Sequence, residues 1–129
     1  MENILTGSVS RDKFVSRINL NGTIDNTFGV SGTRTINYST PIVDITNSFA
    51  IDTSGNCYVG CRFTDLSSGT TELTVTKINS SENVVTTFGT VGRASFILPT
   101  GAVSAFSDLA IDSSQRIIAS ACGSRSWSV

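Results

Sequence analysis

The stretch FVSRINLNGTIDNTFGVSG, residues 14–32, decides the fold because the chain contains a second version of it. Sixty positions later, residues 74–92 read TVTKINSSENVVTTFGTVG. Each version has an alternating apolar and polar segment, a polar turn and a Phe-Gly-x-x-Gly loop, which are features of a strand, a turn and a tight corner. Similarity at a fixed spacing is the signature of repeat architectures, so the chain is predicted to contain copies of one β unit.

The similarity extends beyond these two stretches. Aligning residues 15–61 with residues 75–121 without a gap gives 13 identical positions out of 47. Four of the shared residues are glycines, a loop aromatic or a turn aspartate, which have special structural roles. We therefore predict that the repeat depends on Phe28, Gly29, Gly32, Asp52, Phe88, Gly89, Gly92 and Asp112.

Short alternating segments between turn signals predict an all-β fold with four strands per unit. No segment has the 3.6-residue periodicity of an amphipathic helix over three turns. We expect a single domain that begins with an extra strand and turn, continues through two repeats joined by a polar loop, and ends in a tail. The respective ranges are 1–12, 13–62, 63–71, 72–122 and 123–129.

Two turns can be predicted in detail. Asn21-Gly22 predicts a type I′ turn, in which both central residues have positive φ. In the segment Asp52-Thr53-Ser54-Gly55-Asn56, the aspartate is expected to accept hydrogen bonds from backbone amides, with Gly55 in the left-handed conformation. Both turns would join antiparallel strands.

Composition and charge exclude several functions. The 129 residues include 9 basic and 10 acidic side chains, and a net charge of −1 gives no field that would attract nucleic acid. Charged residues make up only 15% of the chain, as is common in extracellular and virion proteins. No apolar stretch is long enough to insert into a membrane, and no signal peptide is recognisable. We expect a soluble protein synthesised in the cytoplasm.

No catalytic, cofactor or metal residues are predicted. The chain has no histidine, which excludes Ser-His-Asp and Cys-His arrangements. Asp52 and Asp112 lie at equivalent places in different copies, so they are expected to cap turns rather than to share a proton. The Phe-Gly-x-x-Gly loops lack the Gly-Lys-Ser/Thr ending of a phosphate loop.

The cysteines leave two interpretations open. Cys57 and Cys61 are four positions apart on a predicted strand and would face the same side. Together with Cys122 they are expected to be buried free thiols. A metal site or a disulfide is the alternative, although tetrahedral zinc requires four ligands.

Residues 13–29, KFVSRINLNGTIDNTFG, closely resemble the signature of the delta-60 repeat, a propeller-like repeat of large bacterial surface proteins. Residues 50–60, AIDTSGNCYVG, resemble the second conserved segment of that family. The second copy departs from the pattern, since Val85 and Gln115 replace Asp25 and Gly55. The resemblance implies a scaffold or surface-binding role and supplies no catalytic residues.

The predicted architecture is two four-stranded propeller-like blades plus the N-terminal strand. Two blades cannot close a ring, and their open faces would expose apolar surface. We therefore expect the ring to be completed by copies of the chain, with a trimer favoured and a tetramer next. Ile4 and Leu5 of the first strand, and Arg125 and Trp127 of the tail, are the candidate assembly contacts.

The function expected from these features is that of a non-enzymatic structural or assembly protein. A viral particle or a cell surface is the expected setting, with other structural proteins as further partners. The alternative is a carbohydrate-binding, lectin-like propeller module with a glycan as its partner. One Trp and two Tyr offer few aromatic surfaces for stacking on sugars, which counts against the alternative.

Overall fold

The structure is a computed structural model that describes residues 13–36, 42–65, 71–81, 83–96 and 105–122. The predictions for Ile4, Leu5, Arg125 and Trp127 lie outside the described residues. The described part of the chain contains strands and no helix. The strands are β1 (Lys13–Ser16), β2 (Thr33–Ile36), β3 (Ile42–Ile51), β4 (Cys57–Asp65), β5 (Thr71–Ile78), β6 (Arg93–Phe96), β7 (Ala105–Ile111) and β8 (Ile117–Cys122).

The all-β prediction is confirmed, and all pairing between these strands is antiparallel. The described strands form a two-stranded sheet β1-β2, a four-stranded sheet β3-β4-β5-β6 and a two-stranded sheet β7-β8. The four-stranded sheet therefore joins the end of the first predicted repeat to the start of the second. The prediction of one four-stranded blade for each repeat is therefore wrong, because the described strands β1 to β4 do not form one sheet and neither do β5 to β8. The short connection between β4 and β5 favours their pairing, because consecutive strands are usually neighbours.

The four-stranded sheet lies between the two hairpins. Side chains alternate between the two faces of a strand, so consecutive residues of β4 enter different clusters. One cluster contains Tyr58, Leu73, Val75 and Leu109, the last of which lies on β7. The other contains Ile36, which lies on β2, with Val59, Cys61 and Ile78. Three β layers thus enclose two apolar interfaces.

The turn at Asp52 forms as predicted. Its Oδ1 atom accepts hydrogen bonds from the amides of Ser54 and Asn56, both at 2.9 Å. Gly55 has a φ of 80° and donates its amide to the Asp52 carbonyl oxygen. This combination is a type I turn followed by a left-handed residue, as in a three-residue hairpin loop.

The type I′ prediction for Asn21-Gly22 is wrong. Gly22 has a φ of 85°, whereas Asn21 is not among the residues with positive φ. The main-chain carbonyl oxygen of Asn19 instead accepts from the Gly22 amide, and the Asn19 amide donates to the Thr23 carbonyl oxygen. The same two main-chain hydrogen bonds form the loop at Asp52. The Asn21 side chain accepts from the Thr23 amide at 3.1 Å, and this local bond stabilises the alternative turn.

Candidate assembly surfaces

The two Phe-Gly-x-x-Gly loops have matching backbone geometry. Gly29 and Gly89 have φ values of 57° and 59°, and a Cβ atom on either would overlap the main chain four residues further on. Gly32 and Gly92 have φ values of 87° and 81°, and a Cβ atom there would overlap an apolar side chain. Glycine is therefore required at each of these four places.

The aromatic residues of the two loops have related surroundings. The Phe28 amide donates to a carbonyl oxygen three residues earlier at 3.0 Å, and the Phe88 amide does the same at 2.9 Å. Phe28 lines a pocket with Ile51, while Phe88 packs in a cluster with Ile111, which lies sixty positions after Ile51. Both loops thus face the hairpin that follows them in the chain.

Asp52 and Asp112 cap their own hairpins. The Asp52 Oδ2 atom accepts from Asn56 Nδ2 at 2.7 Å and from the Tyr58 hydroxyl at 3.1 Å. The hydrogen bond from the Asn56 side chain is the main cause that lowers the pKa of Asp52. At Asp112, the hydrogen bond from the Arg116 amide is the main cause that lowers its pKa. Both carboxyl groups are therefore held ionised by their own turns, which suits capping and not proton exchange.

A pocket of about 280 Å³ lies beside the first Phe-Gly loop. The charged group in its lining, the Arg17 guanidinium, is engaged by the first repeat itself: Nε donates to Asp25 Oδ2 at 2.7 Å, and the group lies 4.9 Å from the centre of the Phe28 ring. Phe28 is only 5% exposed, so it presents little ring surface for stacking on a sugar. The lining residues are Arg17, Phe28, Ile51, Gly55, Cys57, Asn79 and Ser80.

The three cysteines are free thiols that differ in exposure. Cys61 is buried and Cys57 is half-buried, and both contact the cluster that includes Ile36. Burial raises the pKa of Cys57, and the charge of Asp52 raises it further. The prediction of burial is wrong for Cys122, which is exposed. It lies on the same face of β8 as the exposed Ile118, and no other layer of the described residues packs on that face. Those residues contain no group of three metal-ligating side chains.

Exposed apolar side chains occur on all three layers. Leu20, Val30 and Val91 lie in turns, and the residues sixty positions away from them are also exposed. Seven others differ, because the residues sixty positions away from them are buried or half-buried. We call these seven the outer-face set: Phe14, Ile18, Ile24, Phe49, Ile51, Phe96 and Ile118. Three of them lie on the edge strands β3 and β6 of the four-stranded sheet, and the other four belong to the two hairpins.

Two pairs show the contrast most clearly. Ile18 is 61% exposed and Ile78 is fully buried, although each forms an isolated bridge to an apolar residue six positions later. Ile118 is 57% exposed, whereas Tyr58, its counterpart on β4, is 6% exposed. The buried member of each pair lies in the four-stranded sheet, which has a neighbouring layer on both faces.

Sequence reasoning placed the assembly contacts at the termini and did not name the outer-face set. A usable signal was present: Phe14-Val15 and Ile117-Ile118 are consecutive apolar residues on short strands. Such residues point to opposite faces, which indicates a strand that is covered on both sides. Their exposure, however, depends on which layers are absent, and the sequence does not contain that information.

Comparison of the chain with protein families, curated proteins and solved structures finds no match. Within the described residues, no helix has the length and apolar character needed to cross a bilayer.

Proposed function

We propose that this chain is a non-enzymatic structural subunit that assembles with copies of itself, so that further β-layers cover its two outer hairpins and the edge strands β3 and β6 of its four-stranded sheet. The observation that carries the proposal is the outer-face set: each member is exposed where its counterpart, sixty residues away, is covered. Exposure by itself does not define this set. Three turn residues are also exposed, namely Leu20, Val30 and Val91, but so are the residues sixty positions away from them.

The physical reason is the cost of exposed apolar surface. Burial contributes about 25 cal/mol per Å² of apolar area removed from water. Contiguous apolar patches on a soluble protein usually mark an interaction site. Phe14 and Ile18 lie on one outer hairpin and Ile118 on the other, so the subunit has an apolar surface at each end of its stack of layers. Two such ends favour head-to-tail association.

A closed ring satisfies both ends of every subunit. The described strands of each chain form one four-stranded sheet and two hairpins, and a hairpin from each of two neighbours would supply the strands of one further sheet. Three copies then give a ring of six sheets, and four copies give eight. The resemblance of residues 13–29 to the delta-60 repeat supports a duplicated, propeller-like scaffold. We place such a ring in a viral particle or on a cell surface, beside other structural proteins.

Light scattering on the purified chain tests the proposal by measuring the mass in solution. The expected mass is three times that of the chain, with four times as the next choice. Ile118→Glu places a charge on an outer hairpin and should give monomers, while Leu20→Glu, the matched control in an exposed turn, should not. A monodisperse wild-type monomer, or equal dissociation by both variants, would overturn the proposal.

A further inference from the structure

We propose that β8 pairs edge to edge with β1 of a second copy, in the register that β4 and β5 show within one chain. The inference rests on the assembly proposed above and specifies its contact. The result is a second four-stranded sheet, β7-β8-β1-β2, in which two subunits each contribute one hairpin. Its main-chain hydrogen bonds would hold the subunits together.

The template for this contact is the pairing of β4 with β5, which runs from Cys57↔Ile78 to Thr64↔Thr71. The strand β8 lies sixty positions after the first part of β4, and β1 lies sixty positions before the part of β5 that pairs with β6, residues 73–76. Among the strands that the structure describes, β8 pairs only with β7, and β1 pairs only with β2. The two strands therefore correspond to the two halves of a ladder that already exists inside the molecule.

The hairpins that carry these strands are built alike. The β3-β4 register shifts between Thr46 and Ser48, and the β7-β8 register shifts at the same place, between Phe106 and Asp108. The β5-β6 and β1-β2 pairs also share one register. The first begins at Leu73↔Phe96, and the second begins sixty positions earlier at Lys13↔Ile36. Two hairpins of each type can thus meet with the same geometry.

The contact must form between copies. The hairpin β1-β2 packs on one face of the four-stranded sheet, where Ile36 and Val59 meet. The hairpin β7-β8 packs on the opposite face, where Leu109 and Tyr58 meet. Because the sheet separates them, β8 cannot reach β1 of its own chain.

Shifting the observed pairs by sixty positions gives the expected register. Val59↔Thr76 becomes Ala119 beside Ser16 of the second copy, and Cys61↔Thr74 becomes Ala121 beside its Phe14. These combinations set a small side chain beside a polar or a large one, with no like charges opposed. The exposed Phe14 would thereby gain a neighbouring strand.

The same shift brings the outer-face set together on the two faces of the new sheet. By analogy with the cluster around Ile36, Phe96 of one copy would meet Ile18 and Ile24 of the second. By analogy with the cluster around Leu109, Ile118 would meet Phe49 and Ile51 of the second copy. With Phe14 beside β8, every member of the set is accounted for.

Disulfide trapping between two variant chains tests the register. One chain carries Ser16→Cys and the other Ala119→Cys, both with Cys122→Ser to remove the native exposed thiol. Paired residues on antiparallel strands have Cα atoms about 5.5 Å apart or closer, within disulfide range. Oxidation of the mixture should give a dimer whose linked peptides contain residues 16 and 119. Replacing the second chain with an Ala121→Cys chain, two residues out of register, should reduce the yield several-fold.

A second variant tests the edge itself. Asp112 donates its amide to the Arg116 carbonyl oxygen, and hydrogen-bonded pairs alternate along the β7-β8 ladder. The Ala119 amide therefore points away from β7, to the edge of β8 that pairs with no other described strand. Ala119→Pro should therefore preserve the β7-β8 hairpin and the circular dichroism spectrum while reducing the mass to that of a monomer.

The outcomes separate the two proposals. A wild-type monomer overturns both of them. If the wild type is an oligomer, three results would overturn the strand pairing alone. They are the absence of a link between residues 16 and 119, an equally efficient link to residue 121, and an unchanged mass of the Ala119→Pro variant. In-register linkage together with dissociation by Ala119→Pro supports the pairing.

Discussion

Gly60 of β4 lies directly against Leu109 of β7, across the interface between the four-stranded sheet and the β7-β8 hairpin. A Cβ atom on Gly60 would be 3.1 Å from Leu109 Cδ1 and would overlap Ser48 Oγ. The missing side chain thus lets the hairpin approach the sheet, and Leu109 fills the space with only 5% of its surface exposed.

Leu109→Ala is expected to reduce the free energy of unfolding by about 2–5 kcal/mol, because it removes a buried side chain and leaves a cavity. Leu20→Ala makes the same chemical change at a fully exposed turn residue and should cost about 0.5 kcal/mol or less. Urea unfolding of both variants measures the difference. Similar losses from the two substitutions would mean that Leu109 does not hold the hairpin to the sheet.

The glycines of the Phe-Gly loops allow backbone strain to be separated from steric overlap. Gly22→Ala adds a Cβ atom where φ is positive but no atom lies within 4 Å, so it should cost about 1–2 kcal/mol. Gly29→Ala and Gly89→Ala add the same strain and also overlap the main chain, so each should cost about 1–3 kcal/mol more. Thermal unfolding would rank the three variants. A loss at Gly29 no greater than at Gly22 would contradict the close approach.

The sequence predicts local features well because they depend on neighbouring residues. The hairpin at Asp52 and Gly55 follows from the chemistry of five consecutive residues, and the structure shows it as expected. The turn at Asn21 is harder to predict, because the choice between a type I′ turn and a three-residue loop depends on whether the Asn21 side chain accepts from the Thr23 amide.

The assignment of strands to sheets could not be predicted in the same way. A spacing of sixty residues fixes the length of a repeat but not where a unit begins, since any starting point gives the same alignment. The structure places the junction between β2 and β3, so that β3 to β6 form one sheet across both copies. The exposure of Phe14 and Ile118 follows from that junction, so the sixty-residue spacing does not predict it either.

Acid should destabilise the protein through its capping aspartates. The folded-state pKa values of Asp52 and Asp112 are lowered from 3.8, so their stabilisation is present above that pH and is lost as the pH falls through the folded-state values. Asp52→Asn removes one titrating group. The free energy of unfolding of this variant, measured by urea well above and well below pH 3.8, should change less than that of the wild type. An equal change in both proteins would exclude a contribution from Asp52.

The reactivity of Cys57 should depend on Asp52, which lies on the same hairpin. Burial and then the negative charge of Asp52 raise the pKa of the Cys57 thiol, so its reactive thiolate is scarce at neutral pH. In a Cys122→Ser background, Asp52→Asn should speed the reaction of Cys57 with a thiol reagent and shift its pH profile downward. Asp112→Asn is the matched control on the other hairpin and should leave the rate unchanged.

Cys61 is fully buried and should react only when the sheet opens, so mass spectrometry of the labelled peptides distinguishes the two thiols. Equal acceleration by both substitutions would indicate general loosening of the fold and would contradict a specific effect of the Asp52 charge.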